Sequence, residues 1–473
     1  ENPRVDSKDF EKMSDIKRAS VAGACPYWCP VLPEKYKMAG FPDNKRKLYE
    51  GLEDTEYALN CGKPGCKFYE QYHAYIDSDV IVFNSLKYKL ETLLNRKPKT
   101  EVEVIDECDE FLDSFSNQRS VNIGRLQNAL IYVLSKSEKV RKAVDEIMAI
   151  TNHLNKDSNV QESIYKDKIM PLKNTGVYDI LQIILKNPEI LDDADDESYL
   201  VEVEETAKMF EDVLNESYVS FNKKDNWMSA SIVTINLAKR FKELVNKNKV
   251  VVLMSGTLHS EEVLKNIFGL QNFKIIQAEH KSQGAIKIEK TGKEMDCKYS
   301  NFYYKKHTRE EYLTALEECI KKSVKPTLVH INSFYDLPSE EEKERFGINH
   351  LKSREDIKEE QRNDSGGQLV KDFKNGKTEV FFSTRASRGL DFPGNQCRSI
   401  VFTKFPNPDV KDAFWKILRQ TKPQYYWMFY RDKARRELLQ KLYRGLRTKD
   451  DYIHLLSPDI RVLEEFEKLG LNN

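Results

Sequence analysis

Apolar residues occur along the chain in short continuous runs, and polar residues follow several of these runs directly. The runs are VIVF (80–83), VEVID (102–106), KVVVLMSGTL (249–258), PTLVHIN (326–332), TEVFFSTR (378–385) and CRSIVFTKF (397–405). Short runs rich in β-branched residues are typical of buried parallel strands. Helical or loop segments follow each run, so the pattern predicts strands alternating with helices and a parallel sheet covered on both faces.

Between residues 117 and 224 the apolar spacing changes to three and four. Two examples are VRKAVDEIMAITNHL (140–154) and YLVEVEETAKMFEDVLNESY (199–218). This spacing predicts amphipathic helices. The helical block interrupts the first sheet, so we expect two α/β units, the first of which carries insertions.

The composition is that of a globular protein with more than one core. The chain has 473 residues, 40% of them hydrophobic, with 76 basic and 76 acidic side chains. A net charge of zero argues against a tail-like electrostatic binder but permits a local basic groove. No apolar run reaches the length of a membrane span, and the first residues contain no apolar signal core. We expect a cytoplasmic protein, or a nuclear one in a eukaryote, without a membrane partner.

Carboxylates follow the run VEVI directly, as Asp106 and Glu107. Ligands of open α/β sheets bind at the carboxyl ends of the strands. There the first carboxylate could hold Mg²⁺ and the second could polarise a water molecule. A solvated acidic turn explains these two residues equally well.

Small hydroxyl residues follow the run VVVLM in the same way, as Ser255 and Thr257 on either side of Gly256. They could donate hydrogen bonds to carboxylates at the end of a neighbouring strand. The alternative is a polar turn before a helix that Ser260 caps.

The stretch STRASRGLDFPG (383–394) follows another predicted strand. Gly389 and Asp391, with Thr384 and Arg385 before them, offer backbone, carboxylate and hydroxyl groups to a ribose or a phosphate. A simple loop has no need for two arginines beside an Asp-Phe-Pro-Gly turn, so we favour a binding role.

The stretch LLQKLYRGLRTKDDY (438–452) places Gln440, Arg444 and Arg447 on one face of a helix, four and three residues apart. Guanidinium groups match phosphate oxygens and stay charged, so the two arginines suit a phosphate clamp. The alternative is a solvated basic face that pairs with Glu437 and Asp450.

Taken in order, VIDECDEF, LMSGTL, STRASRGLDFPG and QKLYRGLR resemble motifs II, III, V and VI of superfamily 2 helicases. The match is most similar to the XPD/DinG branch, and KPTLVHINSFYDL (325–337) resembles its motif IV. The resemblance implies two RecA-like parallel-sheet domains and ATP as substrate. It implies that Asp106 binds Mg²⁺, that Glu107 positions the attacking water, and that Arg444 and Arg447 are arginine fingers. By the same resemblance the residues around the nucleotide are Gln440, Gly389, Asp391 and Thr257.

Four of the eight cysteines lie before motif II, namely Cys25, Cys29, Cys61 and Cys66. Four thiolates suit a structural Zn²⁺ or a [4Fe–4S] cluster, and paired spacing alone favours zinc slightly. The resemblance implies the cluster, because the branch carries a four-cysteine insertion at this place. The remaining cysteines stand apart and are predicted to be ordinary buried thiols.

The resemblance also implies a domain organisation in which the first helicase domain is interrupted twice. The predicted segments are 1–75, an iron–sulfur cluster domain with a remnant of helicase domain 1; 76–116, helicase domain 1 with motif II; 117–224, a helical Arch-like domain; 225–259, helicase domain 1 with motif III; and 260–473, helicase domain 2 with motifs IV, V and VI.

Residues 411–449 interleave Lys and Arg with Phe, Trp and Tyr, as tracking along a single strand requires. Phe414, Trp415 and Trp427 have helical spacing, which is more often typical of core residues. We expect an ATP-dependent DNA helicase that binds single-stranded and forked DNA and, by resemblance, moves 5′ to 3′. We expect a monomer, with repair or transcription complexes as candidate partners.

Two other functions remain open. One is a non-catalytic nucleic-acid-binding relic with a structural zinc site. The other is an RNA translocase, because motif II ends in Cys108-Asp109, as it does in some RNA helicases. The sequence contains no G-x-x-x-x-G-K-[ST] phosphate loop. We therefore expect that loop in a segment upstream of residue 1, and no ATP hydrolysis by these residues alone.

Overall fold

The structure is a computed structural model that describes residues 25–37, 41–115, 118–133, 137–191, 198–224, 227–276, 284–364, 366–384 and 390–468. The chain divides into two compact units. Unit 1 comprises Glu1–Ser255, Lys265–Leu270 and Asp412–Thr421, and unit 2 comprises Gly256–Leu264, Gln271–Lys411 and Lys422–Asn473.

The strands of the described residues are β1 Val31–Pro33, β2 Arg46–Glu50, β3 Glu56–Asn60, β4 Val102–Ile105, β5 Gln118–Asn122, β6 Ile169–Pro171, β7 Ser217–Lys224, β8 Trp227–Thr234, β9 Val250–Leu253, β10 Ala285–Ile288, β11 Thr327–His330, β12 Val380–Ser383, β13 Ser399–Phe402 and β14 Tyr452–Leu456.

The α-helices of the same residues are α1 Lys67–Glu70, α2 Ala74–Asp77, α3 Ser85–Leu93, α4 Cys108–Asp113, α5 Ile123–Ile131, α6 Glu138–Leu154, α7 Ser158–Tyr165, α8 Gly176–Lys186, α9 Tyr199–Phe210, α10 Leu237–Asn246, α11 Glu261–Asn266, α12 Tyr299–Tyr303, α13 Arg309–Lys322, α14 Glu340–Phe346, α15 Arg354–Asn363, α16 Gln368–Lys374, α17 Ala413–Thr421, α18 Pro423–Leu442 and α19 Ile460–Lys468. Among the described residues, no helix is long and apolar enough to cross a membrane.

Unit 1 begins with a three-stranded antiparallel sheet in the order β1-β3-β2. Its core is aromatic, since the rings of Tyr49 and Tyr57 stack with their centroids 5.8 Å apart. The ring of Tyr75 meets Tyr49 edge-on, with centroids 5.7 Å apart. Aromatic packing of this kind holds together a small sheet that lacks a large aliphatic core.

The strands β4 and β9 form a parallel pair in which Ile105 lies opposite Leu253. Both strands were predicted from their apolar runs, but they are not buried as predicted, since Val102 and Val104 are 53% and 59% exposed. Because parallel strands share a direction, the residues that follow Ile105 and Leu253 lie at the same edge of the sheet.

The prediction of a buried strand at VIVF (80–83) was wrong. Residues 80–83 form no strand, and the side chains of Val80 and Val82 are 79% and 90% exposed. A strand requires a pairing partner, and no described strand pairs with this segment. The helix predicted after it is confirmed as α3, and the Asn84 side chain caps it by accepting a hydrogen bond from the Lys87 N–H at 2.8 Å.

The helices predicted between 117 and 224 are confirmed as α5 to α9, and they share one apolar core. A four-stranded antiparallel sheet in the order β5-β8-β7-β6 accompanies them, which the sequence did not predict. Residues alternate along β8 between buried and partly exposed positions, so one face of the sheet packs against the helices.

Unit 2 contains a five-stranded parallel sheet in the order β10-β14-β13-β11-β12. Neighbouring residues of its central strands belong to different apolar clusters. Leu328 and Ile400 pack in one cluster, whereas Val329 and Val401 pack in the other. Side chains alternate across a strand, so the two clusters lie on opposite faces. The predicted α/β class, with a parallel sheet covered on both faces, is confirmed.

Candidate functional site

The carboxylate turn of unit 1 lies between β4 and α4. Glu107 has a φ of 47°, a left-handed conformation that is uncommon outside glycine. Its N–H donates to Asp106 Oδ1 at 2.9 Å. The Cys108 N–H donates to the Met254 carbonyl at 2.9 Å, and the Met254 N–H donates to the Ile105 carbonyl at the same distance. Backbone strain of this kind persists where neighbouring structure fixes it, and it is concentrated at functional sites.

The hydroxyl predicted to reach a neighbouring carboxylate does so. Ser255 Oγ donates to Asp109 Oδ1 at 2.8 Å, and Asp109 is fully buried. The carboxylate it contacts lies one helical turn after Asp106. Asp109, which lies shortly after β4, is thus hydrogen-bonded to Ser255, which lies shortly after the parallel strand β9. Asp106 and Glu107 are exposed.

Asp106 and Glu107 border an open cavity of about 1150 Å³ within unit 1. Among the described residues, no three His, Cys, Asp or Glu side chains are placed to hold a metal ion. Mg²⁺ at a nucleotide site commonly uses one or two carboxylates and completes its octahedron with phosphates and waters. A carboxylate pair at a strand end can therefore hold the magnesium of a bound nucleotide.

The two arginines of unit 2 converge on one carboxylate. Arg444 Nη1 donates to Asp391 Oδ1 at 3.0 Å, and Arg447 Nη2 donates to the same oxygen. Partial burial would raise the pKa of Asp391, but the hydrogen bonds from Arg447 and Arg444 outweigh burial and hold that pKa below its ordinary value. The Phe392 N–H also donates to the Arg444 carbonyl at 2.8 Å, which ties the two stretches together through the backbone.

Asp451 holds the backbone beside this cluster. Its Oδ2 accepts the N–H groups of Arg447 and Thr448, both at 2.6 Å. Its Oδ1 accepts the Gly394 N–H at 2.7 Å. Burial would raise the pKa of Asp451, and these backbone donors outweigh burial and lower it.

The candidates Gln440 and Thr257 contact each other directly. Gln440 Nε2 donates to Thr257 Oγ1 at 2.7 Å, within unit 2. In the same unit, Thr384 Oγ1 donates to Gln361 Oε1 at 3.0 Å. The candidate Gly389 lies outside the described residues.

Three of the four candidate cluster cysteines, Cys29, Cys61 and Cys66, line one cavity of about 320 Å³. The Gly62 N–H donates to Cys29 Sγ at 3.2 Å, a contact that stabilises a thiolate. Burial raises the pKa of the Cys29 thiol, and the nearby Cys66 and Cys25 thiols raise it further. Four thiols in one small region have the chemistry of ligands for a cationic group, but among the described residues they are not placed to hold a metal ion, so the iron–sulfur cluster stays a prediction.

A side chain at position 62 would disrupt this cysteine cavity, because a Cβ there would lie 2.4 Å from the Trp28 carbonyl oxygen. The other four cysteines, Cys108, Cys297, Cys319 and Cys397, are buried as predicted.

Sequence reasoning missed the roles of Asp109 and Asp451. Each stands beside a second acidic residue, and two adjacent acidic residues are typical of a turn exposed to solvent. The available signal for Asp109 was its place one helical turn after a strand-end carboxylate. For Asp451 it was the sequence Thr-Lys-Asp-Asp directly after an arginine, since Asp side chains commonly accept nearby backbone N–H groups.

Residues 316–469 match the helicase C-terminal domain family. This range contains β11 to β14 and the cluster of Asp391, Arg444 and Arg447. The part of the chain that is similar to this family thus includes four of the five strands of the parallel sheet of unit 2. The helicase resemblance seen in the sequence is confirmed for this range.

Solved structures of XPD proteins resemble the chain distantly. One described as an XPD helicase is 17% identical with a TM-score of 0.45, and the alignment covers 78% of this chain and 67% of that chain. One described as "XPD_APO" is 17% identical with a TM-score of 0.46, covering 78% and 74%. Xpd4 of S. tokodaii is 16% identical with a TM-score of 0.47, covering 85% and 77%. No curated protein sequence matches the chain significantly.

Proposed function

We propose that the chain belongs to an ATP-dependent DNA helicase of the XPD/DinG type, which couples ATP hydrolysis to movement on single-stranded DNA and to duplex unwinding. The observation that carries the proposal is the double contact of Arg444 and Arg447 with Asp391. It holds two guanidinium groups together in a domain of the helicase C-terminal type. The 5′-to-3′ direction follows from the resemblance of the motifs.

The arginine pair suits the chemistry of phosphoryl transfer. Negative charge spreads over the phosphate oxygens in the transition state, and a preorganised guanidinium stabilises it without having to be reoriented. The Arg444 side chain is 8% exposed and that of Arg447 is 38% exposed, so Arg447 is the more accessible to a phosphate. In this proposal Asp391 acts by positioning the arginines, and Gln440 and Thr257 border the nucleotide.

The carboxylates of unit 1 would serve the same reaction. Asp106 would bind the Mg²⁺ of the nucleotide, and Glu107 would position the attacking water and accept its proton. The strained backbone at Glu107, fixed by the bonds around Cys108, supports a defined direction for this side chain.

The experiment uses Glu107→Gln in the full-length protein, which removes the base but keeps the shape. We expect ATP to bind with unchanged affinity while DNA-stimulated phosphate release falls at least about a hundredfold, within the range typical of a lost general base. The matched control is Glu110→Gln, since Glu110 is an exposed residue of the adjacent helix. Equal phosphate release by Glu107→Gln and the unaltered protein would contradict the assignment.

The cysteine cavity supports a second part of the proposal, a [4Fe–4S] cluster held by Cys25, Cys29, Cys61 and Cys66. The donors are all sulfur, and one of them accepts a backbone N–H, which is a contact that adjusts the potential of such clusters. When bound, the cluster would tie the segment around residues 25–29 to that around residues 61–66.

A further inference from the structure

A group of exposed tyrosines lies on α12 and directly after it. The side chains of Tyr299, Tyr303 and Tyr304 are 80%, 66% and 71% exposed. The rings of Tyr299 and Tyr303 are 6.0 Å apart and inclined by 31°, and Tyr304 meets Tyr303 edge-on at 5.2 Å. Contiguous exposed patches of large side chains are often interaction sites on protein surfaces. We call these three residues the tyrosine platform.

The core side of α12 is firmly anchored. Phe302 packs into the apolar cluster on one face of the parallel sheet, with its ring 6.0 Å from that of Tyr312. Asn301 Nδ2 donates to the Asp296 carbonyl at 2.8 Å. The platform is therefore carried by a fixed turn of helix, and binding to it would cost little conformational entropy.

The segment that carries the platform is basic, although Asp296 precedes it and Glu310 and Glu311 follow it. Residues 298–309 contain four Lys or Arg side chains and no Asp or Glu. Lys298 pairs with Asp296, and Arg309 pairs with Glu342. Within the described part of the chain, neither Lys305 nor Lys306 has an ion-pair partner, and both are exposed. Two cationic side chains beside the rings are thus available to an anionic partner.

Lys305 occupies a position at which glycine is the usual residue. The Lys306 N–H donates to the Asn301 carbonyl, and the Lys305 N–H donates to the Phe302 carbonyl, which closes the end of the helix. Lys305 has a φ of 55°, the left-handed conformation this type of helix end requires. The backbone at Lys305 is therefore strained. Its side chain adds a positive charge next to Tyr304 in the sequence.

The platform lies at the edge of the sheet where ligands bind in α/β proteins. It follows β10, and the residues before it are tied to those after β14 by the Met295 N–H, which donates to the Pro458 carbonyl at 2.8 Å. Lys404, which follows β13, lies over the Phe302 ring at 5.5 Å. The platform therefore lies near the carboxyl ends of three parallel strands of unit 2.

We propose that the tyrosine platform, with Lys305 and Lys306, is a binding site for a single strand of nucleic acid. Bases would stack on the exposed rings, and the two ammonium groups would contact phosphates of the backbone. Tyrosines are also common at protein interfaces, but the absence of acidic residues from 298–309 favours a polyanion. The inference rests on the proposed function only for the class of partner.

The first test measures anisotropy of a fluorescent 20-nucleotide oligothymidylate with the full-length protein and no nucleotide. Tyr299→Ala, Tyr303→Ala and Tyr304→Ala are each expected to weaken binding about fivefold or more, as the loss of one stacked base does. Tyr165→Ala is the matched control, because Tyr165 is 89% exposed and lies in unit 1. Unchanged thermal unfolding would show that the variants remain folded.

The second test separates the lysines from the rings by the salt dependence of binding. Lys305→Gly with Lys306→Gln keeps the helix end, because glycine favours the backbone conformation at position 305. Each lost phosphate contact reduces the slope of log affinity against log salt by about 0.7, so the pair should reduce it by about 1.4. The control Lys139→Gln with Lys142→Gln removes the same charge from α6.

The outcomes distinguish this inference from the proposed function. If the unaltered protein binds the oligonucleotide and all platform variants bind equally well, the inference is wrong and the helicase proposal stands. If the variants instead alter self-association, the platform is a protein interface and the inference is equally wrong. If the unaltered protein binds neither DNA nor RNA oligonucleotides, both proposals fail.

Discussion

Gln440 and Thr257 are 183 positions apart in sequence and share a hydrogen bond of 2.7 Å. Thr257 is buried, and it lies two residues after Ser255, which bonds the buried Asp109 in unit 1. Ser255 thus bonds a residue of α4 within unit 1, and Thr257 bonds a residue of α18 within unit 2. We expect the Thr257 contact to contribute to the stimulation of ATP hydrolysis by DNA.

Thr257→Val tests this connection, because valine has the same shape and lacks the hydroxyl. We expect folding to be little changed, since a hydrogen bond of this kind contributes about 1 kcal/mol. Stimulation of phosphate release by DNA should fall, whereas DNA affinity should not. Thr257→Ser restores the hydroxyl and should restore stimulation. Full stimulation in Thr257→Val would show that the contact has no part in coupling.

Asp391→Asn tests whether the carboxylate positions the two arginines. Asparagine cannot neutralise them, so they should separate and phosphate release should fall with a small change in KM. Glu359→Gln, which removes one negative charge from an exposed position of α15 in the same unit, is the charge-matched control.

The pH dependence of the Asp391 contact follows from the depressed pKa of Asp391. A carboxylate with a lowered folded-state pKa stabilises the fold above its unfolded pKa of about 3.9 and loses that contribution as the pH falls through the folded value. We therefore expect no titration of this contact between pH 5 and pH 8. Measured by thermal unfolding, the stabilisation that the Asp391 contact provides should be lost only below about pH 4.

Cys66→Ser tests the metal proposal without reference to activity. Anaerobically purified protein should be brown, with iron and sulfide in equal amounts, and the variant should lose both. Residues around the cavity should then become more accessible to protease, because metal binding and local folding are coupled. Colourless protein with stoichiometric zinc would contradict the cluster.

Cys25→Ser should have a smaller effect than Cys66→Ser. Cys29, Cys61 and Cys66 line the cavity, whereas Cys25 contributes through its effect on the Cys29 thiol. Cys319→Ser is the control, since Cys319 is buried in unit 2 among apolar side chains. Equal loss of iron in Cys25→Ser and Cys66→Ser would show that the two ligands are equivalent.

The sequence predicts β11 and β13, which are buried on both faces, and also β4 and β9, which are partly exposed, because a continuous apolar run is the signal in each case. It misses β10 and β14, whose polar residues Lys287 and His454 interrupt the pattern. It also predicts a strand at 80–83 that does not form, since residue types record apolarity but not the presence of a pairing strand.

In the candidate site, too, the residue types indicate the chemistry but not which side chains contact each other. The residue types of Arg444, Arg447 and Asp391 indicated phosphate chemistry, and their mutual contact needed the structure. Asp109 and Asp451 were missed because a buried carboxylate that accepts hydrogen bonds looks, in sequence, like a solvated one. The tyrosine platform was also missed, because three aromatic residues near a helix end are more often part of a core.

The most direct test of the helicase account is DNA-stimulated phosphate release by Arg447→Ala in the full-length protein, with DNA binding measured in parallel. An arginine that stabilises the transferring phosphoryl group contributes roughly a thousandfold or more to the rate. Arg435→Ala, which removes an exposed arginine paired with Glu465, is the control. We expect Arg447→Ala to lose nearly all DNA-stimulated phosphate release while its affinity for DNA stays unchanged. Weakened DNA binding with normal hydrolysis would place Arg447 on the DNA backbone and contradict the account.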